Sequence, residues 1–448
     1  MIGRLDPARK QVTVVGAGIA GLLMADRLDL LGWEVTLLER ASRVGGVIAT
    51  RKTPFGNAES AVHSVLATPP VQELCSRLGV ELCEVADDSR ARFVVRGGKK
   101  ARIPLRPGEI LGAFLRAYFV RSRRGTDPYE LTMRDWCLRH LGPKALEFGL
   151  DPFLSGIYAA SPGEISVGAA FPKLFVEPGH SLLSQVLARR LGRLPSPGPS
   201  LASGPVALPA PLEAGRTGRP KMMAAAAGMQ ALVDALESSL RGRLRERLRT
   251  GVALDELPES PNLVLSTPAP EAARLLSAGG GDAGTAEALS AIRYAPLVSV
   301  TAFARVSDFD GGPPRGVGVL APSSEKRECL GILFNSSSFP GRVQDPSLAS
   351  FTAMLGGTGA TGWVHRTDDE IRGAVEREMR ALLGLRAPLV HAEVTRWERA
   401  IPVYSPAIVR AWRAAASGWC SRPGRVLFGN WTGQVSLRGM IETTASIL

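Results

Sequence analysis

β-Branched apolar residues fill positions 11–16 (QVTVVG), and the run ends on glycine as a buried parallel strand does. From Ile19 to Leu31 the apolar positions take helical spacing, and Gly32 stops the helix. Residues 33–39 (WEVTLLE) form a second strand that closes on an acid, so the chain opens as a βαβ unit with a right-handed crossover. Further along, the pattern predicts a helix over 69–82, a strand pair over 92–103 around Gly97–Gly98, and a helical stretch over roughly 108–185. Seven prolines mixed with Gly, Ser and Ala between 191 and 220 predict a long loop or linker. Structure resumes with a helix over 228–240 and a buried strand in 262–270 (NLVLSTPAP). Strands follow in 293–306 and 316–335, then a charged amphipathic helix over 367–384 and a strand running into a glycine turn at 425–433. The strands near 14, 36, 264 and 427 all read as fully buried, which predicts one sheet assembled from distant segments.

Composition narrows the class. A chain of 448 residues, 45% of them apolar, can bury two or three cores. It has no uninterrupted apolar run of about 20 residues, so a transmembrane helix is not expected. The N-terminal segment goes straight into a strand pattern without a secretory signature. The cysteines at 75, 83, 137, 329 and 420 are odd in number and scattered, which disfavours a disulfide framework or a zinc site and suits a reducing cytoplasm. The net charge is +12, but 46 of the 54 basic residues are Arg, a skew that reads as coding bias. No nucleic-acid-binding motif accompanies it, so nucleic acid is not an expected partner. An acidic substrate or an acidic lipid surface is. In 108–125, Ile110, Leu111, Phe114, Leu115, Tyr118 and Phe119 stand beside Arg116, Arg121, Arg123 and Arg124. That segment suits either an interfacial membrane helix or an ordinary amphipathic one.

The chemistry-bearing motif is Gly16-Ala17-Gly18-Ile19-Ala20-Gly21, a GxGxxG between a strand and a helix, with Glu39 at the end of the next strand. Gly16 permits the tight turn, Gly18 lets backbone approach a pyrophosphate, and Gly21 allows close helix–strand packing. The helix N-terminus supplies N–H groups, and Glu39 accepts from ribose hydroxyls. A dinucleotide site follows, and the alternative is a glycine-rich turn in an unrelated α/β protein. NAD and FAD share this arrangement. Nothing resembles a Ser-His-Asp triad, a metal cluster or paired catalytic carboxylates.

The continuation Glu39-Arg40-Ala41-Ser42-Arg43-Val44-Gly45-Gly46-Val47 resembles the start of the amine oxidase, protoporphyrinogen oxidase and phytoene desaturase superfamily. Gly429-Asn430-Trp431-Thr432-Gly433-Gln434-Val435-Ser436-Leu437 is similar to the element that closes its FAD site. Within it, Ser155-Gly156-Ile157-Tyr158-Ala159-Ala160, Phe171-Pro172-Lys173-Leu174, Gly331-Ile332-Leu333-Phe334-Asn335-Ser336 and Ile401-Pro402-Val403-Tyr404 resemble the oxygen-dependent protoporphyrinogen oxidase family, nearly end to end.

The resemblance implies an α/β fold: a Rossmann-like FAD-binding domain from discontinuous segments (1–68, 222–290, 390–448), a mixed-sheet substrate domain (69–105, 291–389), a helical, membrane-associating domain (106–190) and a linker (191–221). It implies non-covalent FAD held by Gly16, Ala17, Gly18, Ile19, Ala20, Gly21, Glu39, Arg40, Arg43, Gly45, Gly46 and Val47. At the ring it implies Ala61, Val62, His63 and Ser64, although this stretch lacks the Gly and Pro of the family's E-x-G-P. Val252, Trp397, Gly429, Val435, Ser436 and Leu437 complete that set. For a tetrapyrrole substrate it implies Arg92 against a propionate, Gly156 against the ring, and Val317, Leu320, Ile332, Leu333 and Met354 around it. The flavin itself carries the chemistry, and no side chain is expected to be catalytic. The reaction implied is three two-electron oxidations of protoporphyrinogen IX with O2 as acceptor, in the cytoplasm or peripherally on its membrane, with a homodimer as the candidate assembly. The rivals are coproporphyrinogen III oxidation, an isoprenoid-type lipid desaturase and a flavin-free escort protein.

Overall fold

Val12, Val14, Val15, Val35, Leu37, Val264, Leu265, Val426 and Leu427 are all buried, so their strands need cover on both faces. They obtain it in one six-stranded sheet, ordered Ile2–Arg4, Arg425–Leu427, Asn262–Leu265, Gln11–Val15, Glu34–Leu38 and Leu248–Arg249. Its four inner strands are the four expected from the sequence. All neighbours run parallel except the edge strand Ile2–Arg4. This computed structural model describes residues 1–192, 221–278 and 282–447. The expected Pro-rich linker therefore lies almost wholly outside the described residues.

The helix Ile19–Leu30 is buried along nearly its whole length, because it sits between the sheet and the helices Gln230–Leu244 and Leu437–Ala445. Its one buried acid, Asp26, pairs with Arg243 and Arg77, tying three helices together. Gly21 has no room for a side chain: a Cβ there would stand 1.8 Å from the carbonyl oxygen of Gly16.

A seven-stranded mixed sheet forms the second unit, ordered His391–Pro402, Tyr294–Arg305, Leu348–Gly356, Gly331–Leu333, Gly318–Leu320, Arg92–Arg96 and Lys99–Ala101. Its period-two pattern separates two faces. Val298, Val300, Val319, Ile332, Phe351, Ala353 and Leu355 turn one way into a core shared with Ile371, Val375 and Met379 of the helix Asp368–Leu383. Ser299, Thr301, Leu320, Leu333, Thr352 and Met354 turn the other way.

The domain boundaries expected from sequence shift in two places. The strand His391–Pro402 pairs along Tyr294–Arg305 and so belongs to the second sheet, not to the cofactor unit. None of His391–Ile401 is fully buried, so the strand had no apolar face to announce its sheet. Conversely, Val71, Leu74 and Cys75 of the helix Pro69–Arg77 are buried in the core of the first sheet. That helix stops short of residue 82 because Gly79 takes φ +69, and Leu82–Glu84 becomes a strand beside Lys221–Ala225.

The helical stretch resolves into separate helices, among them Pro107–Phe119, Met133–His140, Asp151–Tyr158 and Leu182–Arg190. Trp136, Cys137, Leu154, Tyr158 and Ile165 form its interior and join the core beneath the first sheet.

Candidate functional site

The cofactor cradle lies at the carboxyl ends of the parallel strands, where α/β sheets bind ligands. Gly16 turns the chain at φ +96, and a Cβ on it would meet the carbonyl oxygen of Ser266 at 2.8 Å. Gly18 is different: a Cβ there would meet nothing within 4 Å, so its face is open. No side chain caps the helix that begins at Ile19, which leaves its first-turn N–H groups to a ligand. Each oxygen of Glu39 accepts one backbone N–H, from Ala17 (2.6 Å) and Ala41 (2.8 Å), and keeps a lone pair for a hydroxyl donor. Val252 N–H donates to the Glu39 carbonyl at 2.8 Å, which puts Val252 beside that acid.

Gly45 N–H donates to the Ala17 carbonyl at 2.8 Å, and a Cβ on Gly46 would stand 3.2 Å from the Gly18 Cα, so the Gly–Gly loop closes over the motif. Val47 is exposed beside it. The two arginines expected at the cofactor make these contacts within the chain. Arg43 folds back to donate to the carbonyls of Gly46 (2.6 Å) and Val44 (3.1 Å), bracing the loop. Arg40 is 71% exposed and reaches Glu271 at 3.7 Å. At the other end of the chain, Gly429 N–H donates to Thr432 Oγ1 at 3.2 Å, and Ser436 caps the helix Leu437–Ala445 through Gly439 N–H at 3.1 Å. Val435 is half-buried at that helix start, and Leu437 is buried.

Two contributors were missed from sequence. The hydroxyls of Ser266 and Thr267, at the end of the strand Asn262–Leu265, are buried without a hydrogen-bond partner beside Gly16. A buried orphan hydroxyl calls for an acceptor or donor. Its signal was the polar pair in NLVLSTPAP, directly after four apolar-facing positions. An open glycine, an uncapped helix N-terminus, a strand-end acid and two orphan hydroxyls together fit a dinucleotide.

Between the strand Gly56–Glu59 with the loop that follows it and the seven-stranded sheet lies a cleft enclosing about 400 Å³ of space, open solvent included. Asn57, Glu59, His63, Ser64 and Met222 line it on the cofactor side, and Val317, Leu333, Asn335 and Ser338 on the other. The loop at 60–64 is fixed by Trp397, whose Nε1 donates to the Ser60 carbonyl at 3.0 Å, while Ala61 is exposed and Val62 packs on the first core. The cleft wall holds a buried ion pair that sequence did not reveal. Glu59 and Arg342 are each 4% exposed and pair directly. Glu59 also accepts from Met229 N–H (3.0 Å) and the Thr50 hydroxyl (2.7 Å), and Arg342 donates to the His63 carbonyl at 3.2 Å.

Burial and then the charge of Arg342 push the His63 pKa down from 6.5 to about 4, so the imidazole is neutral at pH 7. His140, buried beneath the helical unit, falls likewise to about 4 through burial and Arg139. Both folded values lie below the unfolded one, so the neutral native state is favoured above pH 6.5 and loses that advantage as pH falls towards 4. Urea midpoints measured across this range are expected to drop, with unfolding taking up as many as two protons. His63→Asn should flatten the drop by about half.

Sheet register sorts the expected substrate residues. Arg92, Gly318, Leu333 and Thr352 stand in one row across four strands, and Val94, Leu320, Gly331 and Met354 in the next row on the same face. This is the face turned to the cleft. Arg92 is exposed at its edge, two strands or about 10 Å from Leu333. Ile332 is a correction: it points to the opposite face, 1% exposed within the core. A one-residue step along a strand reverses the side chain, and an apolar run cannot show which residue faces the ligand. Gly156 faces Leu320, whose Cδ2 lies 2.7 Å from where a Cβ would be, so this glycine brings the helix Asp151–Tyr158 against the cleft face.

Residues 19–444 match the family model described as flavin containing amine oxidoreductase. The chain belongs to that family. As a member it is an FAD-dependent oxidoreductase, and FAD is the group the cradle fits. The chain is 29% identical over 482 residues to the chloroplastic protoporphyrinogen oxidase of Oryza sativa subsp. japonica, covering 96% of this chain and 85% of that one. It is 28% identical over 442 residues to the protoporphyrinogen oxidase of Homo sapiens, covering 88% of each. Its fold is similar to that of an Exiguobacterium sp. 255-15 protein provisionally assigned as a protoporphyrinogen oxidase, with a TM-score of 0.70, 18% identity, and coverage of 98% and 99%. The resemblance stated from the motifs is thus matched along the chain.

Proposed function

We propose that this oxidoreductase converts protoporphyrinogen IX to protoporphyrin IX with O2 as the electron acceptor. The observation that carries the reading is the cleft face itself. Leu320, Leu333 and Met354 form an apolar surface, and Arg92 stands at its solvent edge with no acidic partner among the described residues. A flat apolar macrocycle bearing carboxylates needs that combination. The similarity to relatives named protoporphyrinogen oxidase supports it. Bound FAD supplies the two-electron acceptor. The chain's own residues hold the macrocycle against the cleft, keep a neutral imidazole at its wall and leave the carboxylates at the mouth. Arg92→Ala is expected to raise KM for protoporphyrinogen IX by about tenfold with flavin content unchanged. An unchanged KM would remove Arg92 from the account.

The same chain is proposed to sit peripherally on an anionic membrane. In the helix Pro107–Phe119 only Ala117 is buried, while Leu111, Phe114, Tyr118 and Phe119 are more than half exposed beside Arg116. Val186, Leu187 and Leu191 extend the apolar surface from the neighbouring helix Leu182–Arg190. Among the described residues no helix is long and apolar enough to cross a membrane. Sedimentation with phosphatidylglycerol vesicles is expected for the wild type and lost in Phe114→Glu/Phe119→Glu.

A further inference from the structure

We propose that Glu59 selects which porphyrinogen the cleft accepts, by cancelling the charge of Arg342 so that substrate carboxylates are held only at the Arg92 end. The inference rests on the tetrapyrrole reading above and adds to it the basis of a choice between dicarboxylic and tetracarboxylic substrates.

The charged side chains in the cleft lining are Glu59 and Arg342, one of each sign. They come from distant segments, Glu59 from the strand Gly56–Glu59 and Arg342 from the loop after Phe339. The hairpin that carries Glu59 is docked on that loop: Asn57 N–H donates to the Arg342 carbonyl at 3.2 Å, and Gln344 Nε2 to the Thr53 carbonyl at 3.1 Å. The pair is therefore held in register by backbone on both sides. Glu59 is further saturated by Thr50 and Met229, and Arg342 by the His63 carbonyl and the Phe339 ring, 5.6 Å from its Cζ.

The consequence for a ligand is electrostatic. Arg342 lies inside the cleft where a second carboxylate anchor would be placed, but its charge is already met. A carboxylate driven into this wall would lose its water beside Glu59 without gaining a net positive partner, which is unfavourable. At the mouth, Arg92 is solvated and unneutralised. The cleft thus offers one cationic end and one neutral interior. Protoporphyrinogen, whose two propionates sit on adjacent rings, can direct both outward. Coproporphyrinogen carries a propionate on every ring and must turn some inward.

The test uses the FAD-loaded protein and the stable oxidised porphyrins as probes. Binding of protoporphyrin IX and coproporphyrin III is followed by quenching of tryptophan fluorescence. Wild type is expected to bind protoporphyrin at least about tenfold more tightly. Glu59→Gln should uncover Arg342 and reduce that ratio by about tenfold or more, through tighter coproporphyrin binding. Glu59→Gln/Arg342→Gln, a neutral pair of similar shape, should restore the wild-type ratio. The flavin spectrum reports whether each variant is folded. A ratio unchanged in folded Glu59→Gln overturns the inference, and so does equal binding of the two porphyrins by wild type, which needs no variant. Wild type that binds neither porphyrin contradicts the tetrapyrrole reading itself, and this inference with it.

Discussion

Gly18→Ala is expected to yield a well-folded protein that has lost its flavin. The added methyl would meet no protein atom within 4 Å, so the folded chain tolerates it. That same emptiness is the space through which backbone approaches a pyrophosphate. A methyl placed there holds the ligand away from the uncapped N–H groups at Ile19. The expected loss of FAD affinity is about 100-fold, near 2.7 kcal/mol. Gly21→Ala separates the two roles of the motif, because its Cβ would collide with the Gly16 carbonyl at 1.8 Å. That variant should lose helix–strand packing, and with it the fold. Flavin-to-protein absorbance ratios and thermal melts distinguish the two. A Gly18→Ala protein with full flavin content would show that the cradle lies elsewhere.

Arg342→Met is expected to cost about 3–5 kcal/mol of stability, the usual penalty for leaving one member of a buried ion pair alone. Glu59 would keep its bonds from Met229 and Thr50 but would have no counter-charge at 4% exposure. Replacing both residues, as in Glu59→Leu/Arg342→Met, should recover most of the loss because no charge remains buried. Urea unfolding measures both variants. A single variant as stable as wild type would mean that the pair is solvated in solution.

What the sequence reveals here follows from how local each signal is. The first sheet was legible because Val12, Val264 and Val426 each sit in short apolar runs that demand burial on both faces. The glycines at 16, 18 and 21 and Glu39 were legible because a strand–turn–helix places them through neighbouring backbone alone. Facing within a sheet was not. Ile332 and Leu333 are adjacent apolar residues, and register set by three other strands decides that Leu333 meets the cleft while Ile332 meets the helix Asp368–Leu383. Long-range pairs were hidden for the same reason. Glu59 and Arg342 lie far apart in the chain, and no periodicity links them. Arg43 shows a further limit: its place in the motif suggested a phosphate partner, and nothing in the motif announced its bond to the Gly46 carbonyl.

The most direct test is the reductive half-reaction. The purified protein, carrying FAD, is mixed anaerobically with protoporphyrinogen IX while its visible spectrum is followed. The account predicts that the oxidised-flavin band bleaches on mixing and that it returns, with porphyrin fluorescence, once air is admitted. Flavin that stays oxidised with protoporphyrinogen IX would contradict it.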